Sequence, residues 1–234
     1  MSLWDWRDLV ADKLRDTAGK LDEAAIDRAI GQAANRYSKI RPQVKIATLT
    51  GDGAKFLFAL PGDYEPALSR LVAVEYPVDR QDPEYLDDTQ DYAVDDRDRD
   101  PTTGAPRLRL IRLVLPTATT ARLTYTARHV VDGISDTVPE ADREACCAFA
   151  ASLGCRQLAS LYAQTSDPTM AAAVIAYRDR SAIYLAQAKD LEREFNEHVG
   201  VPADGYAAAS VSADQDVDLG PGIGDRFYHP RVFR

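Results

Sequence analysis

Hydrophobic residues recur at helical spacing near the start of the chain. In the first stretch they lie three or four positions apart, which predicts a helix from Leu3 to about Thr17. A second helix is predicted from about Asp22, as its N-cap, to Ser38, and the Arg41-Pro42 pair ends it. The apolar positions of the two helices are Leu3, Trp6, Val10, Leu14, Ile26, Ala29, Ile30, Ala33, Ala34 and Tyr37.

Two longer helices are predicted toward the other end of the chain. Thr137 followed by Glu140 matches the capping box S/T-x-x-E, and the helix that it begins runs to about Tyr162. That helix is apolar on nearly every face, which is typical of a buried central helix. The last helix, from Thr169 to about Val199, has one apolar stripe and is capped by Gly200. The stripe consists of Val174, Tyr177, Ser181, Tyr184, Leu185, Ala188, Leu191 and Phe195.

Between these helices the pattern changes to a period of two, which predicts five or six short antiparallel strands from Gln43 to Val131. The first strand holds Val44 and Ile46. Gly51-Asp52-Gly53 predicts a tight hairpin turn back into a strand at Lys55–Leu60. The other predicted strands are Arg70–Tyr76, Gln90–Asp95, Arg107–Leu115 and Ala121–Val131.

The predicted fold class is therefore α+β. Residues 1–42 and 132–199 are expected to form one α-helical bundle, and residues 43–131 an inserted antiparallel β lobe. Residues 200–234, the C-terminal arm, are broken by glycine and proline and are interpreted as having no helical or strand periodicity. Such a segment cannot offset an ordering cost of roughly 1–2 kcal/mol per residue by its own burial. We expect it to be extended and to need a partner.

Composition narrows the function classes. The net charge of −9 and pI near 4.9 disfavour broad binding to nucleic acid, although DNA could slide past such a surface without sticking. No stretch approaches the eighteen or so apolar residues of a membrane span, and the charged N-terminus is not a signal peptide. Three cysteines without a C-x-x-C motif favour small buried residues over a disulfide or zinc site, and they suit a reducing cytoplasm: Cys146, Cys147 and Cys155.

The most acidic stretch, residues 79–101, holds ten carboxylates against three arginines. Its alternating carboxylates resemble the start of a calcium loop, but Pro101 and Arg107 stand where glycine and a bidentate glutamate are required. Metal binding is not expected. We interpret the run as a solvated loop or as a negative surface that repels DNA in a channel. The residues concerned are Asp95, Asp96, Asp98 and Asp100.

No catalytic motif is present in the sequence. The glycines at 220, 222 and 224 follow an Asp-rich coil rather than a strand, so we reject them as a phosphate loop. His129, His198 and His229 lie far apart, and none belongs to a triad, a dyad or an H-E-x-x-H motif. His198 suits the C-terminal end of a helix dipole. We expect no enzyme activity and no cofactor.

The end of the C-terminal arm alternates aromatic and basic residues, the types that anchor protein interfaces. It is interpreted either as a disordered solubilising tail or as a docking arm that adds to a sheet edge or fills a pocket. The docking residues would be Asp225, Arg226, Phe227, Tyr228, His229, Arg231, Phe233 and Arg234.

The order of elements resembles that of the head–tail adaptor (connector, or head-completion) proteins of tailed bacteriophages and their gene-transfer-agent relatives. The resemblance covers roughly residues 20 to 200. It rests on structural rather than catalytic motifs: residues 34–38 with Arg41-Pro42, residues 60–64, 74–77 and 123–129, Thr137-Val138-Pro139, and residues 158–167.

The resemblance implies a ring, typically of twelve subunits, below the portal at the capsid vertex. Such a ring joins the portal to the stopper or tail and prolongs the DNA channel, and its C-terminal arm commonly engages the portal. It would place this chain in the virion neck, assembled in the host cytoplasm, with no membrane partner. A closed ring needs a heterologous interface, for which we expect one face of the last helix: Arg178, Arg180, Glu192, Arg193 and Glu194.

Other roles remain open from the sequence. A tail-completion or tail-terminator protein, or a minor capsid vertex protein, would more often form six-fold rings or plug the tail end. A cytoplasmic scaffolding module unrelated to phage would form no such ring and would bind no portal.

Overall fold

The computed structural model describes residues 2–16, 19–101, 104–164 and 171–200, and the side chains of these residues except 96–98 and 171–179. Helices and two antiparallel sheets make an α+β fold, which confirms the predicted class. In chain order the elements are α1 (Leu3–Leu14), α2 (Glu23–Ile40), β1 (Gln43–Thr50), β2 (Leu57–Ala59), β3 (Leu71–Glu75), β4 (Tyr92–Arg99), β5 (Pro106–Leu110), β6 (Thr120–Ala127), α3 (Glu140–Gln164) and α4 (Ala171–Val199).

Both N-terminal helices are capped by side chains. Ser2 and Asp5 form a capping box at the start of α1, and the carboxylate of Asp22 accepts the backbone N–H of Ala25 at 2.7 Å. The predicted N-cap of α2 is thus confirmed. Helix α1 ends at Leu14, earlier than predicted, because Arg15 adopts a left-handed conformation with φ of 50°.

Helix α3 lies at the centre of the helical body and contacts α1, α2 and α4. Its buried positions are mostly small, which lets the other helices approach closely. All three cysteines are buried there, as predicted. The buried residues of α3 include Ala145, Cys146, Cys147, Ala148, Ala150, Ala151, Gly154, Cys155 and Leu158.

The predicted capping box at the start of α3 is wrong. The hydroxyl of Thr137 accepts the backbone N–H of Val130 at 2.8 Å, and the helix begins at Glu140. Thr137 therefore closes the loop that leads from the β lobe into the helix, instead of capping the helix itself.

The β lobe consists of two three-stranded antiparallel sheets with strand orders β1–β6–β3 and β2–β5–β4. Strand β6 shows the alternation most clearly, since every second side chain is buried between the sheets. The lobe has its own hydrophobic cluster of large residues: Leu49, Phe58, Leu60, Tyr64, Val74, Tyr92, Leu108, Leu110, Leu115, Leu123 and Tyr125, with the smaller Ala121 and Ala127.

The hairpin predicted at Gly51-Asp52-Gly53 does not form. Strand β1 pairs with β6, and β2 pairs with β5 in the other sheet. The glycines serve a close approach instead: a Cβ on Gly51 would lie 2.4 Å from the carbonyl oxygen of Pro116, and the N–H of Gly53 binds the carbonyl of Leu115 at 3.0 Å.

Other strand limits differ from those predicted. Strand β6 ends at Ala127, short of Val131, because the chain then leaves the sheet and the N–H of His129 binds the hydroxyl of Ser38 in the helical body at 2.9 Å. Strand β5 ends at Leu110, because the chain bends at Ile111 and Arg112, although the N–H of Ile111 still binds the carbonyl of Asp91 in the register of the β4–β5 pair.

Candidate interaction surfaces

The charged face of α4, the predicted ring interface, is largely bonded within the subunit. Glu192 pairs with Arg156 of α3, and Glu194 pairs with Lys13 of α1 at 3.0 Å. Arg193 bonds along its own helix to Asp190. The pairs of Glu192 and Glu194 hold α4 against α3 and α1, respectively.

The pKa of Lys13 reflects this position. Burial lowers it, but the hydrogen bond and charge of Glu194, with those of Glu144, together raise it above its ordinary value. Lys13 therefore stays charged at the junction of α1, α3 and α4.

The exposed side of α4 offers a different surface. The guanidinium of Arg180 lies 6.0 Å from the ring centre of Tyr162, within range of a cation–π contact. Ile183 is 63% exposed, and an open groove lined by Ile183, Leu191 and His198 runs along the helix. The side chain of Arg178 lies outside the described residues. Arg180 and Ile183 are therefore the exposed residues of α4 on which another protein chain could pack.

The acidic run is not the loop that was predicted. Strand β4 continues to Arg99, where only Gln90–Asp95 was expected to be strand, and Asp95 lies opposite Arg107 of β5. Asp100 pairs with the same arginine at 3.6 Å. Arg107 of β5 therefore stabilises the extended conformation of this acidic stretch. The side chains of Asp96 and Asp98 lie outside the described residues.

A polar junction joins the helical body to the β lobe, and its centre is Asp142 of α3, only 7% exposed. The hydroxyl of Tyr37 donates to its carboxylate at 2.5 Å, the Nε2 of His198 lies at 2.8 Å, and Arg41 at 3.2 Å. Arg41 also donates to the carbonyl of Val199 at 3.0 Å. The last turn of α4 is thereby tied to the residues that lead into β1.

The pKa values at this junction follow from its burial and bonding. Burial raises the pKa of Asp142, but hydrogen bonds from Tyr37 and His198 and the charge of Arg41 outweigh it and hold that pKa below its ordinary value. Burial and the bond to Asp142 raise the pKa of Tyr37. Asp142 is therefore an ionised, structural carboxylate.

His129 is buried beside this junction and connects three segments. Its Nδ1 lies 2.8 Å from the carbonyl of Thr137, its Nε2 lies 3.1 Å from the carbonyl of Arg41, and its ring packs at 5.0 Å from that of Tyr37. The sequence placed His129 in a strand and explained His198 by the helix dipole alone. No sequence signal connects either histidine to Asp142 or Arg41, because the contacts span more than fifty residues.

The two edges of the sheet β1–β6–β3 differ. The edge of β3 is covered by residues 84–86, since Leu86 donates to Val74 and Tyr76 to Glu84. Strand β1 pairs with β6 over eight residues without a register shift, and among the described residues no strand pairs with its other edge. On its outer face Val44 and Ile46 are 63% and 65% exposed.

Within the described residues no group of three or more potential metal-ligating side chains occurs, and no helix is long and apolar enough to cross a membrane. The docking residues predicted at 225–234 lie outside the described part of the chain. No family model matches the chain, and no curated protein matches it.

Proposed function

We propose that this chain is a structural subunit of the neck of a tailed bacteriophage, where a ring of twelve-fold symmetry joins the portal to the stopper or tail. The observation that carries the proposal is the order of the elements. Two helices precede a lobe of two antiparallel sheets, and two long helices follow it, which is the order on which the resemblance to the adaptor proteins rests.

Two further features support a structural role. The polar clusters at Asp142 and on α4 are bonded from one secondary-structure element to another and hold elements together. The negative net charge suits a channel lining that DNA passes without binding. In this role the C-terminal arm docks on the portal, and the exposed side of α4 contacts the next subunit of the ring.

The test is electron microscopy of the protein mixed with the portal encoded beside it, with class averages used to count the symmetry. We expect a twelve-fold ring on the portal. Deletion of residues 220–234 should remove portal attachment and leave the circular dichroism spectrum unchanged. A six-fold ring would instead favour a tail-completion or tail-terminator protein, and no association with the portal would favour a scaffolding module.

The same experiment tests the proposed contact between neighbouring subunits with a charge-reversal variant of α4. Reversing both arginines, Arg178→Glu with Arg180→Glu, should abolish the ring, because two positive charges of the predicted interface become negative. Arg109→Glu, an exposed arginine on β5, is the matched control and should leave the ring intact. Rings formed equally by both variants would exclude this face of α4 as the interface.

A further inference from the structure

The free edge of β1 has the features of a strand acceptor. Strand β1 is eight residues long, has no proline and no bulge, and shows two exposed apolar side chains, Val44 and Ile46, on one face. Natural edge strands are usually short, bulged, charged or covered, because an open edge pairs with other chains. The opposite edge of the same sheet is both bulged, between Leu71 and Ala73, and covered. Among the described residues the edge of β1 is neither bulged nor covered, and its one charged side chain, Lys45, is paired with Asp63.

The start of β1 also contains an unsatisfied polar group. The side-chain oxygen of Gln43 is buried and has no hydrogen-bond partner among the described residues. Buried acceptors of this kind normally have a donor. This acceptor lies at the start of β1, beside the C-terminal end of α4.

The C-terminal arm leaves the helical body next to this edge. Arg41, two residues before β1, holds the carbonyl of Val199, and Gly200 ends α4 with φ of 82°. The nine residues 201–209 can span about 30 Å, and an eight-residue strand is about 26 Å long. Any part of the β1 edge is therefore within reach of the segment that begins at Ser210.

That segment has the sequence pattern of a strand, which the interpretation of the whole arm as lacking periodicity overlooked. From Ser210 to Leu219 the odd positions are mostly apolar and the even positions are serine or aspartate, without glycine or proline, and Gly220-Pro221 ends the stretch. The odd positions are Val211, Ala213, Gln215, Val217 and Leu219, and the even ones Ser210, Ser212, Asp214, Asp216 and Asp218.

We propose that residues 210–219 of the same chain add a fourth strand to the sheet by pairing with the free edge of β1. The apolar positions then extend the strip formed by Val44 and Ile46. The carboxylates lie on the other face of the sheet, which carries Lys45 near the start of β1 and the buried Leu49 near its end. The pairing anchors the C-terminal arm on the β lobe and leaves residues 220–234 to extend beyond it. The inference does not depend on the phage role, and its test requires neither a portal nor a ring.

The test is residue-resolved amide hydrogen exchange on the full-length protein and two proline variants. Gln215→Pro removes a donor in the middle of the segment, and Ala203→Pro places the same change in the connection as the matched control. About four amides of β1, those that alternate away from β6, should exchange at least about tenfold faster in Gln215→Pro. The control should exchange like the unaltered protein.

Four other results would each overturn the assignment. Equally fast exchange in all three proteins would mean that the edge has no occupant. Equally slow exchange would mean that something other than the C-terminal arm covers it. Loss of protection in both variants would assign the protection to the arm as a whole and not to residues 210–219. Protection that disappears on dilution, together with a fall in mass by light scattering, would assign the strand to a second copy.

Discussion

The helical body and the β lobe achieve burial in opposite ways. The body places small side chains on α3, such as Ala150 and Cys155, so that three other helices approach its backbone closely. The lobe places large side chains, such as Leu123 and Tyr125, at alternate positions between two sheets. Both regions also enclose a nearly buried carboxylate that is paired with an arginine: Asp142 with Arg41 in the body, and Glu75 with Arg122 in the lobe.

This difference teaches that the two regions have different weak points. A close-packed helical interior is sensitive to lost contacts and to loss of its polar junction. In the lobe, the turn after β1 packs closely on the turn between β5 and β6 through Gly51 and Gly53. The lobe is therefore sensitive to atoms added at these glycines. The predictions below test each weakness, with a control from the same region.

The largest effect is expected from Phe195→Ala in α4. Phe195 is fully buried and its ring centre lies 4.9 Å from that of Phe149, so truncation should lower the free energy of unfolding by about 3–5 kcal/mol. Leu185→Ala, a half-exposed position on the same helix, should cost about 0.5 kcal/mol. Urea unfolding followed by circular dichroism measures both. Similar small losses would show that α4 contributes little to the core of the body.

Asp142→Asn should cost about 2–4 kcal/mol at neutral pH, since Arg41 and His198 would lose their carboxylate partner. The pKa of Asp142 is lowered in the folded state, so its ionisation stabilises the fold above the ordinary pKa near 4, and this contribution disappears as the pH falls through the lowered value. The unaltered protein and the variant should therefore converge in acid.

Urea midpoints measured from pH 3 to pH 7 test this convergence. Asp88→Asn, at an exposed position in the lobe, is the control and should change stability by less than about 0.5 kcal/mol throughout. A constant gap between Asp142→Asn and the unaltered protein across this range would contradict a role for the charge.

A smaller loss, about 1–3 kcal/mol, is expected from Gly51→Ala in the lobe. The added Cβ would meet backbone and Cβ atoms of Leu115 and Pro116 at 2.4–2.6 Å, so the two turns would have to separate. Gly62→Ala, with no atom within 4 Å of its Cβ, is the matched control and should be neutral or slightly stabilising. Thermal unfolding compares them, and equal melting temperatures would mean that the turns separate without cost.

The sequence predicted the elements of the body better than the pairing of the lobe. The spacing of apolar residues along the sequence is enough to predict an amphipathic or wholly apolar helix. The ends of α2, α3 and α4 were therefore predicted to within a few residues. Alternating apolar and polar residues likewise predict a strand, but they do not predict which other strand it pairs with. Gly51-Asp52-Gly53 has the composition of a hairpin turn, yet its glycines serve contact with residues 115–119.

The polar junction could not be predicted for a related reason. Tyr37, Arg41, His129, Asp142 and His198 are brought together only by the packing of the helices on each other and on the lobe. The extension of β4 through the acidic run was missed because charged residues have low strand propensity, and the opposing arginine on β5 is visible only once the register is known.

The placement of the thiols gives the body a chemical reporter that the lobe lacks. All three cysteines lie in α3, and burial raises the pKa of Cys146 and Cys147 to about 12 and that of Cys155 to about 11. Both tryptophans of the chain lie in α1. Reaction with thiol-specific reagents and indole fluorescence therefore measure unfolding of the helical body alone. A cysteine introduced on the surface of the lobe could be labelled selectively, because the native thiols are buried and do not need to be replaced.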